Sequence, residues 1–244
     1  MRLRQLRDAF LHEDLYIVGT GPSVDAFPFE FLRDKLCMGL NDAYKLHPAV
    51  GPLAFMHHEV YSHTSRDPAA PFHPLFHELK YPIVKGTSKA RAETIDWENP
   101  HYVFFDWSHD IDAIWTQTKE TDVLYYTPEG CSLHGALQVA WILGARNVFV
   151  IGCDSRTFGG RHYADYDKNR IRDRETLREG ARNYDAYVHG TLVVQEFLRR
   201  KGVRVLNLSP IVGYHQVDLQ FEVLSGQRSL EEACALLRPQ EGTP

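Results

Sequence analysis

Short runs of apolar residues, each followed by small or polar residues, recur along the chain. Val148–Ile151 is the clearest, because four consecutive apolar residues typical of a strand buried on both faces lead directly into Gly152-Cys-Asp154. Leu15–Val18, Leu36–Leu40 and Leu53–Met56 have the same form. Since ligands bind at the carboxyl ends of strands in open parallel sheets, this recurrence predicts a parallel sheet with a site along one edge.

Further segments complete the predicted architecture. The additional strands are Tyr81–Val84, Tyr102–Phe105, Val123–Tyr126 and Val203–Leu208. The predicted helices are Ala26–Leu36, Ser132–Leu143, His189–Arg200 and Leu230–Leu237. In the helix from Ser132, a spacing of i, i+4, i+7 and i+8 gives one buried face, made of Leu133, Leu137, Ala140 and Trp141. The pattern predicts an α/β fold, a Rossmann-like three-layer sandwich with a mostly parallel sheet, in a single domain over residues 1–244.

The most polar part of the chain follows Asp154. Eight Lys and Arg residues lie between Arg156 and Arg182, interleaved with five Asp and Glu residues. One interpretation is a solvated helix with i,i+4 charge pairs. The other is a lid that brings Arg and Tyr side chains to a phosphate. A long polar segment between a core strand and a core helix is typical of an active-site cover, so we predict a lid-like insertion over residues 155–188.

Composition and charge narrow the class of protein. Apolar residues make up 43% of the chain and charged residues 24%, which is ordinary for a globular protein. The formal net charge of −5 argues against bulk binding to nucleic acid or to an anionic membrane. No apolar run approaches the ~20 residues of a membrane-spanning helix, and the charged N-terminus lacks a signal-peptide pattern. We therefore expect a cytoplasmic protein whose four separated cysteines are reduced and mostly buried.

The loop Gly19-Thr-Gly-Pro-Ser23 is the first candidate binding element. A strand that ends in a glycine-rich loop is typical of a nucleotide-binding α/β unit, because glycines let the backbone approach a ligand closely. Ser23 could cap the helix that follows Pro22, while neighbouring N–H groups face an anion. The loop is not GxGxxG and lacks the Lys of a P-loop, so a plain strand-to-helix turn is the alternative.

Histidines between residues 57 and 77 raise the question of a metal. His57, His58 and Glu59 are adjacent, and His63, His73 and His77 follow. Their spacing matches no zinc pattern, and no cysteine joins them. We interpret the segment as a surface loop and helix, and we predict no metal site.

The order of these motifs resembles that of a known family. Gly19-Thr-Gly-Pro-Ser23, followed by Asn41 at the end of the next strand, resembles the nucleotide-binding start of small bacterial lipo-oligosaccharide sialyltransferases. The second half is similar: a helix begins at Ser132, and the strand after it ends in Gly152-Cys-Asp154. The family carries its catalytic histidine at the place of His189. The same features look like a wider superfamily that includes flagellin-modifying nonulosonic-acid transferases and archaeal-type 6-hydroxymethylpterin diphosphokinases.

The resemblance covers roughly residues 15–60 and 130–210, and the chain departs from the family at two positions. Arg156 stands where the family has a tyrosine two residues after Gly-x-Asp. His57 or His58 stands where the family has an asparagine at the end of the third strand. Both positions touch the nucleotide or the sugar in the family, so these differences concern the identity of the donor sugar.

The resemblance implies a glycosyltransferase that moves a CMP-activated, sialic-acid-like sugar to a glycan or another hydroxyl acceptor. The nucleotide-sugar would be a substrate, with no permanently bound cofactor and no metal. His189, at the start of a helix whose dipole keeps it neutral, would be the base for the acceptor hydroxyl. Tyr163, with Arg156 or Arg161, would steady the leaving phosphate.

The remaining candidate residues would bind the nucleotide. Gly21 and Ser23, within the loop that Gly19 and Pro22 complete, would bind phosphate through backbone N–H groups. Asn41 would contact the phosphate or the base, and Ser132 would mark a second anion position at a helix N-terminus. For Asp154 three roles stay open, namely a ribose contact, a metal ligand and a buried cap.

Two other functions stay open. One is a diphosphokinase-like phosphotransferase that uses ATP and Mg²⁺, for which Asp42, Glu59 and Asp154 are candidate ligands. The other is a nucleotide-binding module with a degenerate site. The expected partners are a nucleotide-sugar and a glycan-type acceptor, not nucleic acid. The sequence is compatible with peripheral membrane contact and with homo-oligomerisation.

Overall fold

The computed structural model describes residues 1–56, 81–85, 102–128, 131–154 and 184–208. In these ranges eight strands form one sheet in the order β6-β5-β4-β3-β2-β1-β7-β8, and every pairing between them is parallel. The predicted parallel sheet is therefore confirmed. The strands are β1 Asp14–Val18, β2 Leu36–Leu40, β3 Pro52–Met56, β4 Tyr81–Lys85, β5 Val103–Ser108, β6 Val123–Tyr125, β7 Asn147–Ile151 and β8 Arg204–Asn207.

Helical elements cover both faces of the sheet. Two α-helices, α1 (Ser132–Ile142) and α2 (Tyr184–Arg200), pack against each other. The described ranges also contain short 3₁₀ helices, namely Leu3–Leu6, Pro22–Ala26, Phe29–Leu32, Asn41–Lys45 and Ile111–Thr116. None of the described helices is both long enough and apolar enough to cross a membrane.

Alternation along β1 separates two hydrophobic layers. Leu15 and Ile17 belong to the core under α1 and α2, whereas Tyr16 and Val18 belong to the core under the 3₁₀ helices that follow β1. Such alternation follows from the period of two in a strand. Tyr16 stacks on Phe149 of β7, with ring centroids 4.7 Å apart. The predicted three-layer, Rossmann-like α/β fold is thus confirmed.

The predicted helix Ala26–Leu36 is wrong. Two 3₁₀ helices, Pro22–Ala26 and Phe29–Leu32, stand in its place. Pro28 separates them, and Phe27, the residue before it, has extended backbone angles (φ −82°, ψ 129°). A proline disfavours the helical region for its predecessor, which explains the break.

The helix predicted from His189 is already formed at Tyr184. Residues 184–188, predicted as the end of the lid, are therefore helical. The earlier start has a packing reason, because Val188 already contacts the core one turn before the buried residues Thr191 and Val194. The rest of the predicted lid, residues 155–183, and the predicted helix Leu230–Leu237 lie outside the described residues.

Helix α1 is more buried than its pattern predicted. All its residues from Leu133 to Ile142 are buried, because the sheet covers one side and α2 packs on another. At Gly135, side chains from the sheet side come very close to the α1 backbone. A Cβ at this position would lie under 3.0 Å from the Tyr126 hydroxyl and 2.5 Å from Cζ of Phe55.

The sheet order creates a switch point between β1 and β7. From β1 the chain runs outward through β2 to β6, then returns to place β7 on the other side of β1. Loops that leave such neighbouring strands in opposite directions open a crevice at the carboxyl edge, which is where α/β proteins bind ligands.

We predict that Gly135→Ala lowers the free energy of unfolding by about 1–3 kcal/mol, because the new methyl group collides with two buried aromatic side chains. Urea denaturation would measure the change. Gly51→Ala is the matched control, since a Cβ there has no atom within 4 Å. Equal stability of the two variants would contradict the packing of α1 described here.

Candidate functional site

The loops after β1 and β7 are hydrogen-bonded to each other at the switch point. The Gly19 N–H donates to the Ile151 carbonyl (2.7 Å), and the Gly21 N–H donates to the Gly152 carbonyl (2.8 Å). These bonds continue the pairing of β1 with β7 beyond the strands. Residues 19–21 and 151–152 therefore extend the sheet pairing into the two loops.

Both glycines of the first loop are required for this contact. A Cβ at Gly19 would lie 2.8 Å from Sγ of Cys153, and a Cβ at Gly21 would lie 2.7 Å from the Asp154 carboxylate. Gly152 has φ +64°, a region that side chains disfavour. The close approach that the glycine pattern predicted is thus an approach to the β7 loop.

Asp154 completes the contact. One carboxylate oxygen accepts the Ser23 backbone N–H (2.8 Å), and the other accepts the Ser23 hydroxyl. Both side chains are buried, with 5% of Ser23 and 2% of Asp154 exposed. A carboxylate at the beginning of the 3₁₀ helix Pro22–Ala26 thus takes the position that a bound anion would have.

This geometry corrects two expectations about the glycine loop. Gly21 precedes the 3₁₀ helix and Pro22 is its first residue, so Ser23 lies inside the helix and does not begin it. The N–H groups of Gly21 and Ser23, predicted to face a phosphate, bond to the β7 loop instead. Asp154 accordingly acts as a buried acceptor that joins the loops.

A second polar contact joins the end of β2 to the start of α1. The Asn41 side-chain amide donates to the hydroxyl of Ser132 (2.9 Å) across 91 residues of sequence. Asn41 has φ +50°, which asparagine tolerates better than most residues and which recurs at functional sites. Both residues are only partly buried.

The first turn of α1 adds a favourable potential for anions. Cys131 occupies the N-cap position and makes no side-chain cap hydrogen bond. The first turn carries partial positive charge from its backbone N–H groups, although those of Leu133 and His134 are directed at Cys131. An amide, a hydroxyl and a helix N-terminus therefore meet at one place, which can bind a phosphate or a carboxylate.

Two cysteines flank this region as neutral thiols. Burial raises the pKa of Cys131 to about 11, although the backbone N–H groups of Leu133 and His134 act in the opposite direction. Burial also raises the pKa of Cys153 well above its ordinary value, and Cys131 and Asp154 add to the effect. Both are free cysteines, as is the buried Cys37. Cys131 and Cys153 are only partly buried, and Cys234 lies outside the described residues. That the cysteines are reduced stays a prediction.

His134, in the first turn of α1, is a functional candidate that the sequence analysis missed. Its side chain is fully buried, and its Nε2 lies 2.9 Å from the carbonyl oxygen of Tyr187 in α2. Burial lowers the pKa of His134 from 6.5 to about 4; the bond to Tyr187 opposes this shift, and the charge of His189 adds to it. A histidine within a largely apolar helix segment was the available signal.

His189 is exposed and lies in the second turn of the described part of α2. It is close enough to His134 for its charge to affect that ring. Because the helix is formed from Tyr184 onward, the expectation that His189 begins the helix is wrong.

Several predicted residues cannot be placed. Tyr163, Arg156 and Arg161 lie outside the described residues, as do His57, His58, Glu59, His63, His73 and His77. Among the residues that are described, no group of three or more His, Cys, Asp or Glu side chains is arranged to hold a metal ion.

We predict that Ser23→Ala lowers the free energy of unfolding by about 1–3 kcal/mol, because it removes a donor from a buried carboxylate. Ser108→Ala is a matched control, since the Ser108 hydroxyl accepts an exposed backbone N–H at 3.2 Å. We expect that variant to stay within about 0.5 kcal/mol of wild type in urea denaturation. An unchanged free energy of unfolding in Ser23→Ala would contradict a stabilising contact between the loops after β1 and β7.

His134 predicts a dependence of stability on pH. The unfolded chain takes up a proton on this ring near pH 6.5, whereas the folded state does so only near pH 4. Acidification from pH 6.5 to 4 therefore costs the folded state on the order of 3 kcal/mol through this group. His134→Gln cannot titrate, so its unfolding free energy should fall less across this range in urea melts. Equal losses in both proteins would contradict a buried neutral His134.

Comparison with known proteins gives no family assignment. No protein-family model matches the chain, and no curated protein or solved structure matches it either. Its function is therefore inferred from the order of its motifs and from the contacts at the carboxyl edge of the sheet.

Proposed function

We propose that this protein is a nucleotide-sugar-dependent glycosyltransferase that uses a CMP-activated, sialic-acid-like sugar. The observation that carries the proposal is the contact of Asn41 with Ser132 at the N-terminus of α1. These two residues come from the motifs on which the resemblance rests. Their meeting beside the switch point supports a nucleotide site at this edge. Within the same proposal the protein acts in the cytoplasm, on a glycan-type acceptor of lipopolysaccharide biosynthesis.

The phosphate of the nucleotide is assigned to the N-terminus of α1. The glycine loop does not offer the N–H groups of Gly21 and Ser23, because the β7 loop accepts both. The Asn41 amide, the Ser132 hydroxyl and the first turn of α1 remain as donors. Donors held in place before the reaction stabilise the negative charge that develops on the departing phosphate.

The base is assigned to His189. Sugar transfer passes through an oxocarbenium-like transition state, and the acceptor hydroxyl must lose its proton as the new bond forms. An exposed histidine on the helix that packs against α1 can receive that proton from a molecule in solution. Tyr163, Arg156 and Arg161 keep their assignment as partners of the leaving phosphate.

The environment of Asp154 favours the proposed glycosyltransferase over a Mg²⁺-dependent diphosphokinase. Mg²⁺ dehydrates reluctantly and usually keeps several waters, so its carboxylate ligands must be reachable from water. Both oxygens of Asp154 already accept hydrogen bonds from Ser23, and the side chain is buried. Recruiting Asp154 to a hydrated metal would require opening this buried contact to water.

We predict that CMP raises the melting temperature of the full chain without Mg²⁺, and that Ser132→Ala and Asn41→Ala weaken the CMP affinity about tenfold, as expected for loss of a hydrogen bond to a charged group. Thermal shift and calorimetric titration would measure both effects, with UDP, GDP and ATP in parallel. Stabilisation by ATP only in the presence of Mg²⁺ would overturn the proposal in favour of the diphosphokinase. No response to any nucleotide would favour a degenerate module.

The same proposal makes His189→Ala a variant that binds CMP like wild type but no longer transfers sugar. Loss of a general base costs typically 10²–10⁴-fold in rate, whereas the nucleotide contacts on α1 stay intact. Release of CMP from CMP-N-acetylneuraminate would report the rate. Wild-type turnover in this variant would remove His189 from the mechanism.

A further inference from the structure

His134 connects the first turn of α1 to the turn of α2 that carries His189. A carbonyl oxygen only accepts hydrogen bonds, so the ring must donate its Nε2–H to Tyr187. This donor assignment identifies the neutral tautomer. The other ring nitrogen, Nδ1, is buried without a hydrogen-bond partner among the described residues. The ring is therefore committed to a single partner, and that partner is α2.

Gly190 holds the same turn from the other side of His189. A Cβ at this position would collide with the His134 ring, at 2.7 Å from Nε2, and would lie 2.7 Å from Cγ2 of Thr127. The backbone of α2 thus rests directly on the imidazole. Since well-packed interiors resist small displacements, this contact leaves the turn little freedom.

His189 lies between these two contacts. Tyr187 bonds to the His134 ring through its carbonyl, and Gly190 packs on that ring. His189 is exposed while both of its anchored neighbours face α1. Ser132 is two residues from His134 on α1, so one rigid connection joins the proposed base to the proposed anion site.

An uncharged His134 ring suits a position beside a proposed base. A base that accepts a proton becomes an imidazolium, and a positively charged neighbour would oppose that step. Burial keeps the pKa of His134 low, at about 4, so this ring stays uncharged at neutral pH. A lysine or arginine in its place would supply the same donor but would add the opposing charge.

We propose that His134 is a positioning residue that fixes His189 relative to Ser132. The role as a positioning residue for catalysis rests on the proposed function. The structural connection from His134 to the turn of His189 does not.

The test compares two variants of the full chain. His134→Phe keeps a planar ring against Gly190 but removes the donor to Tyr187, and His134→Gln keeps a neutral donor. Carbon–proton correlation NMR of the histidine rings should show the His189 resonances shifted in His134→Phe and near their wild-type positions in His134→Gln. For hydrolysis of CMP-N-acetylneuraminate, kcat should fall at least about tenfold in His134→Phe with KM little changed, and His134→Gln should recover most of it.

Gln138→Leu is the control for a general loss of stability. Gln138 is buried one turn further along α1 and bonds to Tyr125 and to the His134 carbonyl. This variant should be destabilised without a shift of the His189 resonances. If His134→Phe does not fold, Gly190→Ala takes its place as the test variant. Its methyl group would push α2 away from the His134 ring, so the His189 resonances should shift.

Unshifted His189 resonances in every folded variant that breaks the contact would overturn the proposal. So would a shift in Gln138→Leu as large as that in His134→Phe. If the resonances shift as expected but the wild-type protein neither binds CMP nor cleaves CMP-N-acetylneuraminate, the proposed function fails while the connection between the helices stands.

Discussion

The contact between the loops after β1 and β7 is the constraint on which the rest of the site depends. Two backbone hydrogen bonds and the Ser23–Asp154 pair close it, and glycines at positions 19, 21 and 152 make the approach sterically feasible. Because the sheet order reverses between β1 and β7, this contact sets where the neighbouring strand ends lie. A buried carboxylate with its donors removed would be costly, which makes the pair a strong constraint.

Closing that contact moves the candidate chemistry to α1. The N–H groups of Gly19, Gly21 and Ser23 are used inside the protein, whereas the Asn41–Ser132 pair and the first turn of the helix offer donors to a ligand. The same helix holds α2 through His134, and α2 carries His189. This helix thereby connects the nucleotide side of the proposed site with its catalytic side, and the burial of residues 133–142 gives the connection its rigidity.

Local pattern predicted the strands well and the helices less well. Apolar runs of about four residues between turn residues, such as Val148–Ile151, are too short for a helix and favour a strand. Their prediction as strands is confirmed. The segment after Gly21 failed because a proline at position 28 interrupts an otherwise amphipathic stretch. Helix α2 begins earlier than predicted because its first turns are stabilised by contacts with α1, which no local periodicity contains.

The sequence by itself determined the parallel α/β architecture and predicted the carboxyl edge of the sheet as the place of a site. These follow from period, run length and turn chemistry, which are local properties. Only the tertiary structure decided what each group bonds to. The partner of Asp154 is 131 residues away and the partner of His134 is 53 residues away. The spacing of residues along the chain does not reveal such contacts, because they depend on which strands lie next to each other in the sheet.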